Sequence, residues 1–210
     1  MGAPLSLEQL QQALTENLSN DALYDLLSSY EDEACQQFTP AGITGDATVL
    51  TAYYSSFLFS HLIIDEIQEA RALTQRIPST LIQNEPVIQH SIAILRSIYQ
   101  NKFSETFALL RGQPWPKPVD IVVERVDAYY TEKSFRNISR IYESIRPEVA
   151  AEYLGLQNNA ELTDILVKRG WDWDAEKELF RPHVPDELVN AGKARPPLDQ
   201  ISRTVGLASV

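Results

Sequence analysis

The side chains able to do chemistry are few and scattered. The sequence has three histidines, His61, His90 and His183, and one cysteine, Cys35. A local zinc site needs histidines at short fixed spacings such as HExxH or HxH, and none of the three has such a neighbour. His61 falls within an apolar run and His90 near a helix start, where structural roles are predicted. His183 sits between Pro182 and Pro185 in a predicted loop. Cys35 closes the run EDEAC, and neighbouring carboxylates oppose thiolate formation. Gly42–Ile43–Thr44–Gly45 has the outline of a nucleotide-clamping GxxG, but in an acidic segment it reads as a turn. The sequence contains neither GxGxxG nor a Walker lysine loop. A hydrolytic site gathered from distant residues would have to draw on His61 or His183. The expectation is a protein that is not an enzyme, with no catalytic residue, no cofactor and no metal ligand.

Charge narrows the partners. The 210 residues carry a net charge of −11. Residues 1–70 hold eleven acids and no Lys or Arg, while residues 71–210 hold 18 acids and 18 bases. The first third repels nucleic acid and anionic lipid, and the rest has no net attraction for either. The lack of early bases also removes the n-region of a secretory signal and the Arg-rich pattern of a mitochondrial one. A single cysteine excludes an intrachain disulfide. A chain of this length buries about 70% of its unfolded surface and needs no such staple.

These residues must be positioned by helices. Ser6 with Gln9 resembles a capping box, followed by Leu7, Leu10, Leu14 and Leu18 on one face. A second helix is predicted from Ser19–Asn20, with Leu23, Leu26, Leu27 and Tyr30. Residues 39–46 read as a loop whose Asp46 caps the next helix. That helix lies in the uncharged run 47–64, where Thr48, Thr51, Ser55 and Ser60 alternate with apolar residues. The spacing predicts an amphipathic helix with a hydroxyl-rich back, buried against neighbours, rather than a membrane span. Further helices are predicted at 65–76, behind an N-cap at Asn84, from Ser104, and from Val119 to Tyr130. The prolines of GQPWPKP (112–118) make a stiff connection. Short connections favour antiparallel helix pairs stacked as a solenoid, although pattern alone allows an irregular bundle equally.

After residue 131 the order changes. Phe135, Ile138, Ile141, Tyr142 and Ile145 predict one helix, residues 148–154 a short second, and Leu162, Ile165, Leu166 and Val167 a third. WDWDAEKELFRP (171–182) alternates as a β-hairpin turning at 175–177. This is the order of a winged helix. The fold class is therefore mostly α: a solenoid-like helical-repeat region (1–131), a winged-helix subdomain with a small hairpin (132–183), then a proline-containing linker and short C-terminal helix (184–210). As a nucleic-acid reader the subdomain is poorly charged. Glu161 and Asp164 occupy the half of the third helix that would meet bases, and the hairpin carries four acids against Lys177 and Arg181. An edge strand open to a partner chain suits it better. Trp171 is expected to fill the core. Trp173, Leu179 and Phe180 on the hairpin, and Leu198, Ile201 and Val205 on the tail, are the candidate partner-binding residues.

Five segments carry a family resemblance: DEIQEARALTQRIP (65–78), IYQNKFSETFALL (98–110) with Trp115, SFRNISRIYESI (134–145), VAAEYLGL (149–156) and ILVKRGWDWD (165–174). From about Tyr53 to Pro185 the chain resembles the PCI-domain family, and within it the small PCI subunits of the COP9 signalosome. Related small subunits belong to the proteasome lid and to translation initiation factor 3. The resemblance implies a scaffold of the complex that removes Nedd8 from cullins, with the metalloprotease site on another subunit. It also implies winged helices joined side by side, subunit 3 as main neighbour, a C-terminal helix in a multi-subunit bundle, and a place in nucleus and cytoplasm. Neither nucleic acid nor membrane is an expected partner. A winged-helix nucleic-acid regulator is the reading of another class.

Overall fold

The computed structural model describes residues 5–39, 42–156 and 160–183. They form two units. The first runs to Phe135 and takes in the stretch from Ala151; the second comprises Arg136–Ala150 and the residues from Ala160 onward. Helices dominate both.

The first unit opens with α1 (Leu7–Thr15) and α2 (Asn20–Ser29). Their starts follow from local hydrogen bonding. The Ser6 hydroxyl accepts from the Gln9 amide (3.3 Å), and the Gln9 side chain accepts from the Ser6 amide (3.0 Å). Ser19 accepts from the Ala22 amide (3.2 Å). A short α3 (Glu31–Cys35) follows, then β1 (Phe38–Thr39) pairs antiparallel with β2 (Gly42–Ile43). The sequence reading foresaw only a loop around this pairing. Two residues per strand leave no periodicity to read.

Asp46 Oδ1 accepts from the Thr48 amide (2.8 Å) and starts α4 (Ala47–Ile63). The expected burial against neighbours is complete, and only the amphipathic division is corrected: every residue from Val49 to Ile63 is buried. Helices α1, α2, α5 and α7 pack against it. The hydroxyl side is enclosed along with the apolar one. Ser60 donates to the Phe57 carbonyl (2.8 Å), and the Tyr53 hydroxyl donates to the Leu27 carbonyl (3.1 Å). Enclosing Leu50, Phe57 and Leu58 contributes roughly 1.5–3 kcal/mol each. No helix among the described residues is long and apolar enough to cross a membrane.

Then come α5 (Ile67–Arg76), α6 (Ser79–Asn84), α7 (Pro86–Tyr99) and α8 (Phe103–Arg111). Asn84 ends α6 instead of capping α7, whose N-cap is Glu85 with Pro86 in the first turn. The cap before α8 is Lys102 rather than Ser104. Trp115 in the proline-rich connection donates its indole N–H to the Leu110 carbonyl (3.0 Å) and stands edge-on to Phe59.

Where two helices were expected on either side of residue 132, one runs unbroken, α9 (Val119–Ile141). The intervening Thr131–Ser134 stretch has neither Gly nor Pro, so nothing stops it. Ile145, assigned to that helix from sequence, lies beyond its end in extended chain. It exchanges both backbone hydrogen bonds with Phe180, each 2.9 Å. Helices α10 (Pro147–Leu154) and α11 (Ala160–Lys168) follow, then β3 (Asp172–Asp174) and β4 (Leu179–Arg181). The predicted Asn158–Asn159 cap, the linker and the tail helix lie outside the described residues.

Candidate functional site

The second unit holds the candidate surface. Strand β4 pairs with β3 in the register Asp172–Arg181, Trp173–Phe180 and Asp174–Leu179. On its other side it meets Ile145. The outer edge of β3 therefore has no paired strand among the described residues. Its flanking acids are held within the hairpin region: Asp174 pairs with Arg181 at 2.9 Å, and Asp172 with the His183 imidazole at 2.7 Å.

The three hairpin residues expected to meet a partner separate. Phe180 is fully buried, its ring 4.7 Å from that of Trp173 and 6.1 Å from that of Trp171. Its side chain is thus a core group, and that expectation is corrected. Directly opposed residues share a face, so the larger Trp173 ring covers it. Trp173 and Leu179 are half-buried. Trp173 forms one wall of a groove of about 490 Å³ completed by Arg146, Pro147, Glu148, Lys177 and Glu178. The sequence reading missed these residues. Their only signal was the proline of Ile145–Arg146–Pro147, which ends one element and begins another. Leu198, Ile201 and Val205 lie outside the described residues.

Helix α11 buries Leu162 and Leu166 and exposes Ile165, Val167 and Lys168, with Arg169 exposed just beyond it.

Cys35 is exposed, and its thiol is pushed up by partial burial, then by Glu31 and Asp32. His90 stands edge-on to Trp115. His61 is buried in α4 between Phe57 and Tyr24, with Nδ1–H donating to the Phe57 carbonyl (2.7 Å). Burial holds its imidazole below the ordinary value of 6.5. The sign follows from linkage. Below that value the unfolded chain takes up a proton that the folded chain resists, so stability is full above it and falls with pH. His61→Leu should flatten the decline in urea midpoint between about pH 7 and pH 5. An unchanged slope would remove His61 as its source. No group of His, Cys, Asp and Glu able to hold a metal ion occurs among the described residues.

A mostly helical chain, with a small hairpin closing its described residues, is consistent with a PCI-type helical fold. The chain belongs to the CSN8/PSMD8/EIF3K family, whose model matches residues 49–188. A protein of Emericella nidulans named COP9 signalosome complex subunit 8 is 38% identical over 214 residues, covering 98% of this chain and 96% of that protein. Proteins of the same name from Arabidopsis thaliana and Xenopus laevis are each 23% identical, over 126 and 133 residues. They cover 60% and 63% of this chain, and 64% and 68% of their own lengths. The resemblance read from residues 53–185 is borne out.

Proposed function

We propose that this chain is a non-catalytic scaffold subunit of a COP9 signalosome, part of the assembly that removes Nedd8 from cullin-RING ubiquitin ligases. The observation that carries the reading is near-full-length likeness to a protein named as subunit 8 of that complex. The mode of assembly is a winged helix spanning residues 132–183, joined to a neighbouring PCI subunit, subunit 3 first among them, through the β3 edge. Its support is topological. The extended residue after α9 pairs with the last strand, which pairs with the strand before it, around two intervening helices. Helices α1–α8 serve as the repeat region that carries this module, and the tail enters a helical bundle. Nucleus and cytoplasm are the compartments that follow.

A tagged pull-down from native extract tests the reading, with bound proteins identified by mass spectrometry. Recovery of the other signalosome subunits is expected. Proteasome-lid or initiation factor 3 subunits would move the chain to another complex represented in its family's name. Recovery of no PCI protein would sink the scaffold role, and salt-sensitive binding to DNA or RNA would revive a nucleic-acid role.

Two variants localise the contacts. Trp173→Ala, and charged residues at Leu198, Ile201 and Val205 together, should each cut co-purification about tenfold, the loss expected for an interface anchor. Thermal unfolding of the isolated tail variant should match wild type. Undiminished recovery of either variant removes that contact from the interface.

A further inference from the structure

A second surface lies on the first unit, where α5 and α7 pack together. Arg71 and Thr74 of α5 and Ile92, Leu95, Arg96 and Tyr99 of α7 line a groove of about 190 Å³. Its lining is mixed. Leu95 is buried, Ile92 is half-buried, and Tyr99 leaves 49% of its surface exposed. Both arginines are exposed.

The arginines differ in their commitments. Elsewhere in the first unit, Arg76 pairs with Glu31 and Arg111 with Asp127, while Arg125 donates to the carbonyls of Glu16 and Leu18. Arg71 and Arg96 have no carboxylate partner among the described residues. Arg71 lies over the Tyr99 ring at 4.5 Å and gives one N–H to Gln68 (3.1 Å). Stacking occupies the flat face of a guanidinium and leaves most of its five donors at the edge. Two cations beside an apolar floor, in a chain of net charge −11, are a local exception to the surrounding field.

That field selects the ligand. A polyanion such as nucleic acid or an anionic membrane, with its wider footprint, would face the repulsion of a chain of net charge −11 as well as two arginines. One carboxylate side chain beside an apolar one matches the groove without that repulsion. We infer that the α5–α7 groove is a docking site for a short acidic segment of a partner protein, whose carboxylate is bound by Arg71 and Arg96 and whose neighbouring apolar residue rests on Ile92, Leu95 and Tyr99. This contact is separate from the hairpin edge, and its failure would leave the scaffold reading standing.

The probe is a displayed library of short random peptides, panned on the full chain and counter-selected on R71E/R96E. The expected result is enriched peptides with Asp or Glu next to a large apolar residue. By fluorescence anisotropy they should bind the double variant at least about tenfold more weakly, as the loss of two charge-assisted contacts predicts. Replacing their acids by Lys should abolish binding to wild type and restore it to R71E/R96E. Circular dichroism of the variant should match wild type, since both positions are exposed. Overturning results are no enrichment over the double variant, enriched peptides without acids, or binding that survives the charge reversal. Preference for phosphorylated peptides with no binding of carboxylate ones, or loss of self-association in R71E/R96E, would equally replace the proposal with another occupant.

Discussion

Trp171→Ala should cost the second unit about 3–5 kcal/mol, the range for deleting a large buried aromatic ring. Trp171 leaves only 1% of its surface exposed, and its ring stands 6.1 Å from that of Phe180. Its indole N–H donates to the Ser139 hydroxyl at 3.0 Å, tying the strand region to α9. Alanine therefore opens a cavity and also strips a partner from Ser139, which is 3% exposed. Trp171→Phe separates the two losses: it keeps much of the ring and gives up the hydrogen bond, at a cost of about 1 kcal/mol plus residual cavity. Amide exchange reads the effect locally. Ile145 and Phe180 hold each other's backbone N–H groups, so both should lose protection together in the alanine variant. A loss no larger than that of a surface substitution would mean that Trp171 is not the centre of this small core.

The features legible in the sequence were those fixed by a few neighbouring residues. The Ser6–Gln9 box, the caps at Ser19 and Asp46, and the hairpin follow from short-range chemistry that tertiary context seldom overrides. Helix α4 departs from the amphipathic expectation because Thr51, Ser55, Ser56 and Ser60 are buried as fully as its apolar residues. A hydroxyl in a helix can turn back to its own preceding carbonyls, as Ser60 does to Phe57, so its burial is tolerated. Thr51, Ser55 and Ser56 go further, with buried hydroxyls that have no hydrogen-bond partner among the described residues. Small side chains there carry the cost of letting four helices close on one. No local pattern reports that decision.

The candidate surface was half legible for a related reason. Alternation placed Trp173 on a strand and Phe180 opposite it, but alternation does not say which of two facing rings covers the other. Nor could it bring Arg146 beside Lys177, which are thirty-one positions apart and share the groove only because Ile145 joins the hairpin.

Gly155→Ala should destabilise the first unit by about 3 kcal/mol, from two separable causes. Gly155 ends α10 with φ +59°, a left-handed conformation that costs an alanine about 1–2 kcal/mol. A Cβ there would also lie 2.2 Å from Cγ and 2.4 Å from Cβ of Phe107. Phe107 has little room to yield: it is 2% exposed, its ring is 5.6 Å from that of Tyr130, and the Arg111 guanidinium lies 4.5 Å above it. Arg111 is fixed in turn by Asp127 and by the Gly155 carbonyl, so a shift of the ring or the turn would strain that cluster too. Gly170 provides the comparison. Its φ is +93°, yet an added Cβ there would meet nothing within 4 Å. Gly170→Ala should therefore show backbone strain without collision, at about 1–2 kcal/mol. Urea unfolding of both variants tests the partition. A clearly larger loss at Gly155 assigns the excess to the Phe107 contact. Equal losses would mean that Phe107 moves aside freely and that the close approach contributes nothing to the stop at the end of α10.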